Sequence, residues 1–324
     1  MNFTFATLNL LNYVAPPNAC YEFHNIYEEH QWLKKQQWIA KQIEQLQPDV
    51  IAFQEVFSRE ELEQQMLELG FPHFATIAAP TVEEGYLYTA PVVALASRFP
   101  FDEISAVDYP QRLTQEQPDY RRQPLRATVT LPELGTIDVY VVHFKSQRPI
   151  DNALDLDEKE TNSPLDLWQQ DCLGNWLSTI QRGWECHLLH HAIVERKKQT
   201  AHPIVLMGDF NQHLANSELA ALNIHAHPKT DEPRQIAPYQ LIDAGSTWYH
   251  EEPWSRPATH YYGAKGSVLD YILLSWELNN LSDFPRAELF HYQVLDKHLI
   301  NPSFEEDAQA SDHAVVSLTL KTCR

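Results

Sequence analysis

Basic residues are scarce in this chain. Only 24 lysines and arginines face 44 aspartates and glutamates across 324 residues, a formal charge of −20. Proteins that grip nucleic acid by its backbone usually present a basic face. Such a grip therefore requires positive charge concentrated locally or a bound cation that inverts the field, and a small or neutral-headed substrate is the other route. Cysteine is equally thin. Cys20, Cys172, Cys186 and Cys323 lie far apart and form no C-x-x-C pair, which argues against a zinc site or a dense disulfide framework. Free thiols in a reducing compartment fit this spacing, with a Cys172–Cys186 bridge left open for an oxidising one. No apolar run approaches the roughly 20 residues that span a bilayer. The opening MNFTFATLNLLNY carries neither a basic leader nor a small-residue cleavage site. A cytoplasmic protein is expected, unless a leader has been trimmed, in which case secreted and periplasmic locations remain. Internal repeats and low-complexity tracts are also missing.

What is present is apolar material in short, ordered pieces. With 44% hydrophobic residues the chain can bury a substantial core, in one large domain or two ordinary ones. Phe3, Phe5, Thr7 and Asn9 alternate with Thr4, Ala6 and Leu8, predicting an opening strand. Trp32, Gln36, Ile39, Ile43 and Leu46 recur near helical spacing from about Glu28 to Gln47, and Pro48 stops the helix. Asp49 to Glu55 reads as a buried strand ending in a polar pair. Ser58 with Glu61 three positions on predicts the N-terminus of a second helix. Further strands are expected at Val92–Ser97, Leu125–Leu131, Ile137–His143, Pro203–Met207, Leu269–Leu274, Ala287–Tyr292 and His313–Leu320, with a long helix from about Trp168 towards Lys198. The acidic stretch from about 147 to 167 reads as a surface excursion, either a plain solvated loop or a lid. Helices mixed with strands, without strict alternation, predict a mixed-sheet α/β architecture.

The sharpest local signal is Ile204-Val205-Leu206-Met207-Gly208-Asp209-Phe210-Asn211. Four apolar residues make a strand, Gly208 permits a close approach, and Asp209 and Asn211 then share a face because strand side chains alternate. A carboxylate there can bind a cation or take a proton from water, while the amide can donate to a phosphate oxygen. A turn with an Asx cap is the plain alternative. The same arrangement recurs. Glu55 ends one apolar strand, His143 ends Val139-Tyr140-Val141-Val142, Asp270 follows Leu269, Ser311-Asp312-His313 precedes the last strand, and Asn9 and Asn12 close the first. Each alone is more often a cap or a solvated charge. Together, at the ends of apolar strands, they can converge as sites do in open α/β sheets.

These pieces resemble the endonuclease/exonuclease/phosphatase superfamily. The resemblance rests on N-L-L-N from Asn9, Q-E at 54–55, V-H-F-K-S at 142–146, G-D-F-N at 208–211, L-D-Y at 269–271 and S-D-H at 311–313. It runs from Asn9 to His313 and implies a single domain over residues 1–324. The implied fold is a four-layer α/β/β/α sandwich of two packed mixed β-sheets flanked by helices. It also implies a metal-dependent phosphoester hydrolase, nuclease-like on DNA or RNA, with a sphingomyelinase-like or small-molecule phosphoesterase as the alternative. By the same resemblance Glu55 would be the main metal ligand with Asn9 and Asp312 nearby, holding Mg²⁺ (or Mn²⁺) through hard oxygen donors. Asp209 would orient or deprotonate water, Asn211 would hold a non-bridging oxygen, and His313, oriented by Asp270, would assist proton transfer. His143 fits the deoxyribonuclease and sphingomyelinase branches, where it would contact the phosphate.

Substrate-binding candidates are Arg98, in Ala96-Ser97-Arg98-Phe99-Pro100, and a basic patch of Arg121, Arg122, Arg126 and Lys145 near Asp119. A structural ion pair for Arg98 and a solvated face for the patch are the plain alternatives. His187 and His191 share a helix face without the H-E-x-x-H arrangement, and His225 and His227 read as a polar loop. Tyr261, Tyr262 and Gly263 read as a loop at a cleft mouth or as packing. The expected partner is a phosphodiester, with nucleic acid among the candidates, and the expected state is a monomer.

Overall fold

The alternation at the start of the chain becomes the strand Asn2–Tyr13, which apolar layers cover on both faces. Phe3 and Phe5 point into one layer, Ala6, Leu8 and Leu10 into the other, as the two-residue strand period requires. The protein is described by a computed structural model that covers all residues except 110–119, 152–162, 216, 224–232, 281 and 324.

The opening strand pairs antiparallel with Val315–Thr322 and parallel with Val50–Val56. Ala287–Leu295, Val92–Ser97 and His73–Thr76 complete a mixed six-stranded sheet. A second mixed sheet runs in the order Leu241–Asp243, Asp270–Ser275, Ile204–Asp209, Gly135–His143, Leu125–Leu131 and Phe101–Ala106. The sheets stack through Phe5, Val50, Ala52 and Leu95 of one and Val139, Val141, Met207 and Ile272 of the other, all buried. Truncating such a side chain, Phe5→Ala for instance, costs about 3–5 kcal/mol through lost burial and the cavity left behind.

Three helices cover the outer faces. Helix α1, Glu29–Leu46, and helix α2, Arg59–Glu68, lie against the first sheet with Trp38, Ile39, Ile43, Leu62 and Met66. Helix α3, Pro164–Thr200, lies against the second with Cys186, Leu189 and Ile193. The result is the expected α/β/β/α sandwich.

Several local expectations are corrected. Ser58 does not cap α2, because its hydroxyl accepts from the Ala15 amide at 2.8 Å instead. The capping box belongs to α1, where Glu28 and Gln31 bond reciprocally. Helix α1 buries Lys35, not Gln36. Helix α3 begins at Pro164, where Ser163 accepts from the Asp166 amide, so the surface excursion ends before the expected boundary; its centre, 152–162, lies outside the described residues. Cys172 and Cys186 are both free and sit on α3, 14 residues apart. At 1.5 Å per residue they are roughly 21 Å apart along its axis, which no disulfide spans. Among the described residues no helix is long and apolar enough to cross a membrane.

Candidate active site

Strand direction gathers the site. The strands at Asn2–Tyr13, Val50–Val56, Gly135–His143 and Ile204–Asp209 deliver their C-terminal ends to one edge of the sandwich, and the antiparallel strands beginning at Asp270 and Val315 deliver their N-terminal ends. Register does the rest. His143 pairs with Asp209 and Asp209 with Asp270, so the three form a row across adjacent strands. Gly208 makes the parallel pair possible. It adopts φ +147°, and a Cβ there would sit 2.0 Å from the Val142 carbonyl oxygen.

Asp209 is the hub and is 1% exposed. Its Oδ1 accepts from the Asn211 amide N–H at 2.8 Å, and its Oδ2 accepts from Asn9 Nδ2 and Asn211 Nδ2, each at 3.1 Å. His143 Nε2 lies 3.4 Å and His313 Nε2 3.9 Å from the same oxygen. His313 Nδ1 is held at 2.8 Å by Asp270 Oδ2.

The two imidazoles are driven in opposite directions. Burial, reinforced by the charges of Arg122 and His313, holds His143 well below the usual histidine range. For His313 burial also opposes charge, but Asp270 and Asp209 overcome it and hold the imidazolium well above that range. Burial raises the Asp209 carboxyl; the His313 charge opposes this rise and the Asp270 charge adds to it. Two imidazoles driven apart, one towards its neutral form and one towards its charged form, thus flank the Asp209 carboxyl. Environments that split like groups in this way mark acid and base assignments.

Glu55 stands at the next strand end with φ +60°, a conformation uncommon outside glycine. Its Oε1 accepts from Asn9 Nδ2 at 3.3 Å and its Oε2 from the Asn12 backbone N–H at 2.9 Å. Ser311 Oγ donates to the Asn9 carbonyl at 2.6 Å and ties the S-D-H segment to the same strand end. The buried Lys35 ammonium feels both acidic side chains. Burial pushes its ammonium down to about 8, while the charges of Glu55 and Asp312 pull it back up.

The donor set fits a hard divalent cation. Glu55 and the half-exposed Asp312 offer carboxylate oxygens, and Asn12, whose backbone N–H donates to Glu55, has Oδ1 buried with no hydrogen-bond partner among the described residues. Asn9 sits beside Glu55, and its oxygen keeps a second lone pair for a cation. Its oxygen already accepts from the Leu11 amide at 3.0 Å while its NH₂ spans Glu55 and Asp209, so it links the two carboxylates. Asn211 likewise directs its NH₂ to the Phe144 carbonyl and Asp209, so binding a phosphate oxygen means exchanging one of those bonds.

The cationic candidates divide. Arg122 is partly buried, donates to the Phe144 carbonyl at 3.2 Å, and its charge reaches both His143 and Tyr21, which places it at the site. Arg98 is not there. Ser97 pairs with Val50, at the opposite end of the sheet, and Arg98 donates to the Pro48 and Gly70 carbonyls while its guanidinium stacks over Phe71. Lys145 lies within the field of Arg122. Its ammonium donates to the Ser146 and Arg148 carbonyls and the Ser146 hydroxyl, because a half-buried ammonium needs partners for all three hydrogens. Arg126 bonds Glu103 and Thr128 and leaves the patch, and Asp119 lies outside the described residues.

Helix α3 braces the loop that follows His143. Glu185, 1% exposed, accepts from the Lys145 and Arg121 backbone amides, and Arg182 donates to the Lys145 and Ser146 carbonyls. The expected pair His187 and His191 gathers no metal-binding group among the described residues, and His225 and His227 lie outside them. Tyr261 and Tyr262 sit on a hairpin, His260–Tyr262 against Lys265–Ser267, with Tyr262 exposed. The first residue of that hairpin, His260, pairs across an isolated bridge with His313. No sequence signal marked it, nor Lys35 in α1, since neither follows an apolar strand.

The sequence model of the Endonuclease/Exonuclease/phosphatase family matches residues 23–313. Among solved structures, an endonuclease/exonuclease/phosphatase from Beutenbergia cavernae is 17% identical, with 99% of this chain and 72% of that one covered and a TM-score of 0.56. The human Nocturnin catalytic domain with bound sulfate anion is 16% identical, with 99% and 95% covered and a TM-score of 0.60. An AP endonuclease from Archaeoglobus fulgidus is 16% identical, with 99% and 100% covered and a TM-score of 0.53. At these identities the likeness shows the fold alone. No curated protein matches the chain. With the family's sequence model spanning all but the ends of the chain, this protein belongs to the endonuclease/exonuclease/phosphatase family, whose members hydrolyse phosphoester bonds with the help of a divalent metal.

Proposed function

We propose that the chain is one catalytic domain that hydrolyses phosphodiesters, with nuclease-like activity on DNA or RNA. The supporting observation is the buried row of His143, Asp209 and Asp270 with His313 set against it, in which the surroundings push the two imidazoles in opposite directions. Asn9 and His313, from opposite ends of the sequence, both reach Asp209, which supports a single domain.

Asp209, in its ionised form, takes the proton of an attacking water as the new phosphorus–oxygen bond forms. The His313 imidazolium, kept charged and oriented by Asp270, gives its Nε2 proton to the leaving oxygen as the old bond breaks. Neutral His143 and the Arg122 guanidinium face the phosphoryl oxygens, where negative charge grows. Asn9 keeps Glu55 and Asp209 in register. Glu55 and Asp312, with Asn12, would hold Mg²⁺ (or Mn²⁺), which when bound would offset charge on the phosphoryl group. The overall charge of −20 favours a second reading, a sphingomyelinase-like or small-molecule phosphoesterase on the same residues.

The test is to incubate the purified protein with plasmid DNA, RNA, sphingomyelin and bis-p-nitrophenyl phosphate, each with Mg²⁺ and with EDTA. DNA or RNA cleavage that EDTA stops is the expected result. Cleavage of sphingomyelin alone selects the second reading, and inactivity on all four refutes both.

A further inference from the structure

The imidazole of His260 has no role in the reaction above, yet it stands over His313 with ring centroids 4.9 Å apart. Between them lies Asp312, whose two oxygens each face one ring. Oδ2 is 3.8 Å from His260 Nε2 and Oδ1 is 4.0 Å from His313 Nε2. These nitrogen–oxygen distances are too long for hydrogen bonds. All three ligand atoms nevertheless lie within 4.8 Å of one another.

We propose that His260, Asp312 and His313 form a second cation site, selective for a borderline transition ion such as Zn²⁺, and that its occupation shuts the enzyme down. Three features support it. Ligand atoms about 2.0–2.1 Å from a tetrahedral ion lie roughly 3.3 Å from each other, so the trio needs to contract by only about 0.5 to 1.5 Å to grip one. Two imidazoles with one carboxylate suit zinc and its neighbours, whereas the oxygen donors around Glu55 suit Mg²⁺. The Asp270 carboxylate on His313 Nδ1 supplies the outer partner that metal-binding histidines commonly have, leaving Nε2 as the ligating atom. Access is open, since the Asp312 side chain is 50% exposed and that of His260 24%. A water or chloride would complete the fourth position.

The site would inhibit because Zn²⁺ displaces the Nε2 proton of His313 to solvent, so that none is left for the leaving oxygen, and because it draws Asp312 away from the Mg²⁺ ligands. That consequence rests on the proposed reaction; the binding does not. Zn²⁺ binding is measured by isothermal titration in excess Mg²⁺, and Co²⁺ is used as a visible-absorbing probe of a four- or five-coordinate site. Wild type binds one Zn²⁺, and His260→Ala and His260→Gln each weaken it at least about 10-fold. Basal Mg²⁺-supported activity stays unchanged in both. Zinc affinity that is indifferent to either substitution overturns the proposal. Anomalous diffraction from zinc-soaked wild-type crystals checks it without any variant: a zinc peak between the three side chains is expected, and a peak elsewhere or none refutes the site. Inhibition separates the two claims. Zn²⁺ should inhibit wild type and require about 10-fold higher concentration for the His260 variants. Zinc seated on the trio without inhibition would sink the proton-donor role of His313 and leave the site standing.

Discussion

The strand Gly135–His143 carries a buried ionisable residue near each end, and the two are treated in opposite ways. Asp138, fully buried, is saturated: Thr128 and Arg196 donate to it at 2.6 and 2.9 Å, with His202 and Arg126 close by. Burial penalises its charge, but these partners win and hold its carboxyl below the usual range. Five residues on, His143 has Nδ1 buried without a partner among the described residues, and Asp270, at the far end of the same row, has Oδ1 in the same state. An orphaned buried polar atom costs about 1–3 kcal/mol. The Asp138 end is built for stability. The His143 end tolerates unsatisfied groups, and unsatisfied groups are available to a substrate or a cation.

Substitutions at the two ends should therefore move different observables. The largest effect is expected at Asp209. Asp209→Asn should lower kcat/KM roughly 100–1,000-fold on any phosphodiester the wild type cleaves. Its melting temperature at pH 8 should be no lower than that of wild type. The sign follows from burial. An acid whose folded pKa is raised loses stability as pH climbs from its free value through the raised one, and the amide removes that loss. Near-normal turnover by this variant would erase the distinction between the two ends.

Asp138→Asn should do the reverse. It leaves the charges of Arg196 and Arg126 without their buried counter-charge, costing about 3–5 kcal/mol in a denaturant melt, while kcat per folded molecule is retained. Its pH dependence has the opposite sign. A depressed carboxyl contributes stability above its free pKa of about 3.9 and loses it as pH falls through the folded value. The gap between wild type and variant should accordingly narrow below about pH 4. A gap that persists unchanged into acid would show that the partners do not stabilise the ionised form. The smallest effect belongs to Arg98→Ala, also far from the site. Two hydrogen bonds to carbonyls and a stacking contact are lost, worth about 1–3 kcal/mol, and kcat/KM should not move. A drop in turnover would return Arg98 to the substrate side.

Most of the candidate row was legible because its grammar is local. An apolar run followed by Asp, Asn, Glu or His marks a strand end wherever it occurs, and Gly208 before Asp209 marks a tight approach. The cationic residues were not legible in the same way. Arg98, Arg122, Arg126 and Lys145 look alike on paper, yet among the described residues Arg122 meets the Phe144 carbonyl and no carboxylate, and its charge extends to His143. Long side chains reach several ångströms from their backbone, so their partners depend on what other segments bring near.

From its sequence alone the chain determined a mixed-sheet α/β architecture, the ends of its central strands, and the acids, amides and imidazoles those ends carry, while the layered sandwich was implied by the family resemblance. Periodicity and strand termini are properties of neighbouring residues. The tertiary structure decided which imidazole is pushed towards its neutral form and which towards its charged one, which carboxylate Asn9 links to which, and that His260 stands over His313. Those outcomes depend on burial and on distances of a few ångströms between segments remote in the chain, and no local pattern encodes either.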